Sequence, residues 1–321
     1  MLERAFAPLG FYGGAPAVDF SISVCYTGID RFAETSARRV SNMKNEAKKK
    51  EFSRQLKEFA SSLGNYISKD GEWTIRGFID IFKNVYTVSS DTKVVSKILE
   101  LHLFPHFLAF AERIGYEIEL AKFQNWYPDL TFISRANPQI KFAVDLKTTY
   151  IRQDCPDFCN GFTLGSHGEY FVDRNSTKNI QYPYDEYSGH FCLGIIYARA
   201  EHGANDELNI YSVDEVAEIP AVINNFIFFA EEKWRIASDK SGSGNTANIG
   251  SIQNIADILS GNGVFAKAGE DLFDDYWMNY GKIEIRKSGK IKKITSLSEY
   301  LEYRNLPEEL NNPKAKMRKE K

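Results

Sequence analysis

The chain has 321 residues, of which 43% are hydrophobic, 26% charged and 14% aromatic, enough for a sizeable core in one large domain or two modest ones. Forty basic against 43 acidic residues leave a formal net charge of −3, which by itself argues against a nucleic-acid partner, because phosphate neutralisation needs positive charge. No run of about 18 uninterrupted apolar residues is present, so no membrane span is expected. The four cysteines are too few for a disulfide scaffold, and the chain reads as cytoplasmic.

Residues 1–50 hold no sustained period and end in the basic run SARRVSNMKNEAKKK. They are expected to be an N-terminal extension, disordered or upstream of a true start at Met43. Residues 51–321 then form the folded domain, with a basic tail over 306–321. Within it a helix fits 52–66 and strands fit parts of 72–88. Ser90 or Asp91 can cap a helix through VVSKILELHLF, in which Pro105 marks a kink or break. EIELAKF, PDLTFIS and IKFAVDLKTTY alternate with period two and predict strands. Further strands fit HFCLGIIYAR, ELNIYSV and VINNFIFF, and helices fit 249–260, 269–281 and 296–304. The pattern predicts an α/β fold, a mixed sheet flanked by helices.

Common chemical motifs are missing. Cys155 and Cys159 form a lone C-x3-C without two further ligands at zinc-site spacing, and no H-E-x-x-H, G-x-S-x-G or G-x-x-x-x-G-K-[ST] pattern occurs. The strongest local signal is a hairpin: Tyr127-Pro128-Asp129 opens one strand, residues 135–139 turn, and Val144-Asp145-Leu146-Lys147 lies on the return strand. A turn centred on Asn137 pairs Leu130 with Val144 and Phe132 with Phe142 on one side. On the other side Asp129 faces Asp145, and Lys147 shares that side. Facing carboxylates repel, and a cation between them relieves the repulsion. Oxygen-only ligation by two carboxylates suits Mg²⁺, and a nearby lysine can orient water and neutralise charge. The residues alone leave two readings open, a metal-dependent phosphodiesterase and an ordinary hairpin with a solvated charged face.

The spacing PD-x15-DLK resembles the PD-(D/E)xK nucleases, and the surrounding chain resembles their EcoRV-type restriction endonuclease branch. The stretches that carry the resemblance include SDTKVVSKILEL (90–101), QNWYPDLTF (124–132), FAVDLKTTY (142–150), RNSTKNIQYPYDEY (174–187) and SGSGNTANIGSI (241–252), in the same order from about residue 51 to 305. This resemblance implies a restriction-endonuclease-like fold with dimerisation and DNA-binding/catalytic subdomains. It implies Mg²⁺ held by Asp129 and Asp145, assistance from Lys147, and an auxiliary acidic role for Glu100. It also implies DNA contacts from a recognition loop (Gly242, Ser243, Gly244, Asn245, Thr246, Asn248), a minor-groove turn (Gln124, Asn125) and phosphate-proximal Thr148, Thr149 and Lys178. Phe123, Trp126 and Ala247 depart from the family pattern, and nothing carries over to 151–161 or 166–173. The implied target is double-stranded DNA at the palindrome GATATC, cut bluntly by a homodimer. A catalytically silent or differently specific DNA-binding protein on the same fold is the alternative.

The charge distribution fits this better than the total. Residues 281–293 carry six basic residues and one acidic, and 311–321 carry five and one.

Overall fold

A computed structural model of the chain describes residues 27–200, 209–242, 247–287 and 290–312, the side chains of 27–44 and 287 excepted. Two compact units divide between Lys44 and Asn45. The described part of the first is helical backbone; the second carries every side chain discussed below. Its packing starts earlier than residue 51, since Lys49 is buried and paired with Glu232 and Glu270.

Helix α1 (Thr27–Ser62) places Phe52, Leu56 and Phe59 about one turn apart, and all three are buried. A short α2 (Gly64–Ile67) leads to β1 (Ser68–Lys69), β2 (Glu72–Trp73), β3 (Gly77–Ile79) and β4 (Asn84–Thr87). Asp91 caps α3 (Thr92–Arg113), its side chain accepting from the Lys93 and Val94 N–H groups, and the helix continues through Pro105. By length and composition α3 could cross a bilayer, yet Val95, Leu99, Leu103, Phe107 and Phe110 are buried in protein core.

Then follow β5 (Tyr116–Leu120), β6 (Leu130–Ser134), β7 (Lys141–Arg152), β8 (Cys155–Cys159), β9 (Thr163–Ser166) and α4 (Glu169–Val172). Next come β10 (Tyr187–Arg199), β11 (Ile210–Ser212), β12 (Ile223–Glu232), β13 (Ala237–Ser241) and β14 (Asn248–Ser251). The described chain closes with α5 (Ile255–Ser260), α6 (Glu270–Asn279), β15 (Glu284–Lys287), β16 (Lys290–Lys293) and α7 (Leu297–Arg304).

The main sheet runs β1-β2-β12-β10-β7-β6-β5, with β8 paired to β7. It is mixed because β7 and β10 run parallel while the other pairs are antiparallel. Strand residues alternate between two cores. Phe132, Phe142, Val144, Phe191 and Leu193 join α1 and α3 in one, while Ala143, Cys192 and Ile196 join α5, α6 and α7 in the other. Phe52 stacks on Phe142 with centroids 4.2 Å apart and meets Phe132 and Phe191 at 5.3 Å, which fastens α1 to the sheet centre.

One predicted element is corrected. The helix expected over 249–260 starts only at Ile255, capped by Asn254, and Asn248–Ser251 is strand β14. Gly250 explains the difference: a Cβ there would stand 2.5 Å from the Lys240 carbonyl oxygen, so the backbones of β13 and β14 meet where only glycine fits.

Candidate active site

The β6–β7 pairing has the register that the alternation predicted, Leu130 with Val144 and Phe132 with Phe142. Extended by one step, it sets Asp129 against Asp145 at the end of the ladder. The Leu146 N–H donates to Asp129 Oδ2 at 2.7 Å, which fixes that carboxylate across the strand ends. Lys147 Nζ lies 2.7 Å from Asp145 Oδ2 and 4.0 Å from Asp129 Oδ2. All three residues therefore converge, with Asp145 buried and the other two half-buried.

The electrostatics follow from that crowding. Burial first, then the Asp145 carboxylate, push the Asp129 carboxyl up to about 7, against the opposing pull of Lys147 and the Leu146 N–H. Burial alone would lower the Lys147 ammonium, but Asp145 and Asp129 outweigh it and hold the group above its ordinary range. Lys147 is thus the charged counter-ion of two carboxylates that a divalent cation would otherwise bring together. The donor set fits Mg²⁺, which takes oxygen ligands, keeps several waters and is held by one or two carboxylates.

The three residues line a cleft of about 630 Å³. Gln124 and Asn125 border it from the turn before Tyr127, where the Trp126 N–H donates to the Phe123 carbonyl at 3.0 Å and their rings lie 4.8 Å apart. Ala247 and Asn248 border it from the start of β14. Gly242 N–H donates to Asn248 O at 3.0 Å, closing the stem of the β13–β14 loop. Ser243, Gly244, Asn245 and Thr246 lie outside the described residues. Glu100 and Thr148 line a smaller cavity of about 150 Å³ together with Asp129 and Lys147, and Glu100 also pairs with Lys97 at 2.8 Å. Thr149 is buried and donates its hydroxyl to the Asn160 carbonyl at 2.6 Å. Lys178 is exposed and pairs with Glu169, which borders the cleft.

Behind the cleft lies a polar cluster that sequence reading did not single out. The Tyr127 hydroxyl and His190 Nδ1 are 3.0 Å apart, and His190 stacks on Tyr184 with centroids 3.7 Å apart. Arg174 lies over the Tyr184 and Phe171 rings and pairs with Asp274 at 3.0 Å. Lys233, only 3% exposed, holds its Nζ between 5.1 and 5.5 Å from the ring centres of Tyr127, Phe171 and Tyr184. Burial pushes this ammonium down to about 8, against the attraction of Asp145 and Asp274. Lys233 stands in the stretch Glu232-Lys233-Trp234, whose local pattern does not reveal that the lysine turns inward.

The family model described as "Restriction endonuclease EcoRV" matches residues 69–305. The chain belongs to the EcoRV restriction endonuclease family. The type II restriction enzyme EcoRV of Escherichia coli is 39% identical to it over 235 residues, covering 73% of this chain and 91% of that enzyme. As an EcoRV-type type II restriction endonuclease, the chain is a site-specific deoxyribonuclease whose Asp129, Asp145 and Lys147 stand together at one cleft.

Proposed function

We propose that this protein is a Mg²⁺-dependent endonuclease that hydrolyses both strands of double-stranded DNA at GATATC, leaving blunt ends with 5′ phosphates. The observation that carries the reading is the convergence of two carboxylates and a lysine at the end of the β6–β7 ladder, on the wall of an open cleft. Asp129 and Asp145 would hold Mg²⁺, with Glu100 in an auxiliary place beside them. When bound, the cation supplies positive charge to the phosphodiester oxygens and makes water a better nucleophile. Lys147, released from its carboxylates, orients the attacking water and offsets charge growing on the phosphate. Water forms the new P–O bond and the P–O3′ bond breaks, leaving a 3′-hydroxyl and a 5′-phosphate.

Sequence reading is assigned to the loop carrying Gly242, Ser243, Gly244, Asn245, Thr246 and Asn248. Glycines there let the backbone approach base edges, and Asn245 can pair bidentately with adenine. Gln124 and Asn125 serve the minor-groove side, whose code is degenerate, so they position rather than discriminate. Thr148 and Lys178 are assigned to the phosphate backbone, which fixes register, whereas the Thr149 side chain, buried with its hydroxyl on the Asn160 carbonyl, is assigned no phosphate contact. The exposed strands of β15–β16, rich in lysine, add positive charge for the same partner.

A palindromic target calls for a twofold enzyme, with one site per strand. Support for a homodimer comes from the β3–β4 hairpin and neighbouring β11, where Phe78, Ile79, Ile81, Phe82 and Ile210 are all exposed. Large apolar side chains left exposed together on one hairpin accord with an interface between chains. Free cysteines at positions 155, 159 and 192 accord with a cytoplasmic protein. Sequencing the ends of fragments from a genomic DNA digest tests the specificity. Blunt ends that rejoin at GAT and ATC are expected, and any other consensus refutes GATATC.

A further inference from the structure

We propose that His102 and His106 form a binding site for a divalent transition-metal ion of the Zn²⁺, Ni²⁺ and Cu²⁺ class, set in the half-buried seam where α2 meets α3. The site goes beyond the endonuclease reading and does not depend on it. The stretch His102-Leu103-Phe104-Pro105-His106 has the histidine spacing of H-E-x-x-H without its glutamate. Because α3 runs unbroken from Thr92 to Arg113, both side chains leave the same face one turn apart, with Cβ atoms about 5 to 6 Å from each other. Two neutral imidazoles at that separation can bind one ion together. Imidazole nitrogen suits Zn²⁺, Ni²⁺ and Cu²⁺, whereas Mg²⁺ takes oxygen ligands.

The packing leaves both rings available. Each histidine is half-buried. Tyr66 of α2 stacks on His106 with ring centroids 4.0 Å apart and planes 23° from parallel, which fixes the orientation of the imidazole. The stack covers a face of that ring, while its nitrogen lone pair lies in the ring plane and stays open to a ligand. His102 Nδ1 is buried without a hydrogen-bond partner among the described residues, so it is not the anchored nitrogen of an ordinary core histidine. Leucine would fill the same place without an unpaired polar atom.

Pro105 gives the site a use. It has no N–H, so the Leu101 carbonyl loses its helical donor between the two histidines. An ion held by one residue before Pro105 and one after it ties those turns together. The same helix carries Glu100 and Leu103, which line the small cavity beside Asp129 and Lys147, so the ion stiffens one wall of that cavity.

The test uses untagged full-length protein at about pH 7.5, where histidines are mostly neutral and able to ligate. Ni²⁺ is titrated calorimetrically in a large excess of Mg²⁺, which competes for the Asp129 and Asp145 carboxylates and leaves the imidazoles free. Wild-type protein should bind one Ni²⁺ that Mg²⁺ does not displace. Its Tm should rise by about 3 °C at free Ni²⁺ about tenfold above Kd. His102→Gln and His106→Gln should each weaken this binding by about tenfold or more and remove the rise in Tm. His167→Gln, a control outside the seam, should leave both unchanged. Absence of Mg²⁺-resistant Ni²⁺ binding in the wild-type protein overturns the proposal, and so does wild-type affinity in either folded variant.

Discussion

The Leu146 N–H donates to Asp129 Oδ2 at 2.7 Å, so the backbone of the strand that carries Asp145 and Lys147 also holds the carboxylate opposite them. The main chain thus holds one of the two proposed cation-binding carboxylates. Replacing Asp129 by Ala removes one of the two proposed cation-binding carboxylates and leaves the Leu146 N–H without its acceptor. Cleavage should fall by more than about a thousandfold, while metal-free binding to a DNA duplex stays measurable. Gel-shift and cleavage assays on the same preparation check this, and a variant that still cuts at the wild-type rate would contradict the assignment.

His190 makes metal-free stability fall in acid. Burial, then the charges of Lys233, Arg174 and Lys49, hold its pKa well below the ordinary 6.5. The folded ring stays neutral while the unfolded chain takes up a proton below about pH 6.5. The stability this group contributes is therefore complete above that value and is lost as pH falls, by up to about 1.4 kcal/mol per pH unit. Urea unfolding between pH 7 and 5 should show the slope, and His190→Gln should flatten it. An identical slope in the variant would show that another group is responsible.

The exposed β3–β4 hairpin predicts the oligomeric state. Ile81 is 90% and Phe82 78% exposed in the single chain. Sedimentation equilibrium should find twice the chain mass for the wild-type protein and a shift toward the monomer for Phe82→Asp, because an interface buries a charge poorly. A wild-type monomer at micromolar concentration would refute the proposed use of this surface.

Phe52 joins α1 to the strands that carry the site. Its ring packs on Phe132, Phe142 and Phe191, and it is fully buried. Phe52→Ala should cost about 3 to 5 kcal/mol of unfolding free energy, read from denaturant curves. A loss below about 1 kcal/mol would mean that α1 is not anchored there.

The parts of this molecule legible in its sequence are those with a local period. The register of Leu130 with Val144 followed from alternation about one turn, and a cap at Ser90 or Asp91 was legible because short acceptors stood before an apolar helical run, Asp91 being the one that caps. The parallel pairing of β7 with β10 had no such signal, since it joins strands whose contacts depend on the whole sheet. Within 249–260 the apolar spacing looked helical, and the close approach of Gly250 to Lys240 overrode it. At the site, Asp129, Asp145 and Lys147 lie within 19 consecutive residues and could be read together. Tyr127, Arg174, His190 and Lys233 come from separate stretches, and only folding brings them together beside the cleft that Tyr127 lines.

In the proposed reaction Asp129, Asp145 and Lys147 together make a cation-dependent cut. Digestion of a plasmid bearing a single GATATC site, with and without Mg²⁺, by the wild-type protein and by Asp145→Ala tests it most directly. Full-length linear DNA should form only with wild-type protein and Mg²⁺, while Asp145→Ala leaves the plasmid supercoiled. Linear product without a divalent cation, or equal cutting by Asp145→Ala, would contradict it.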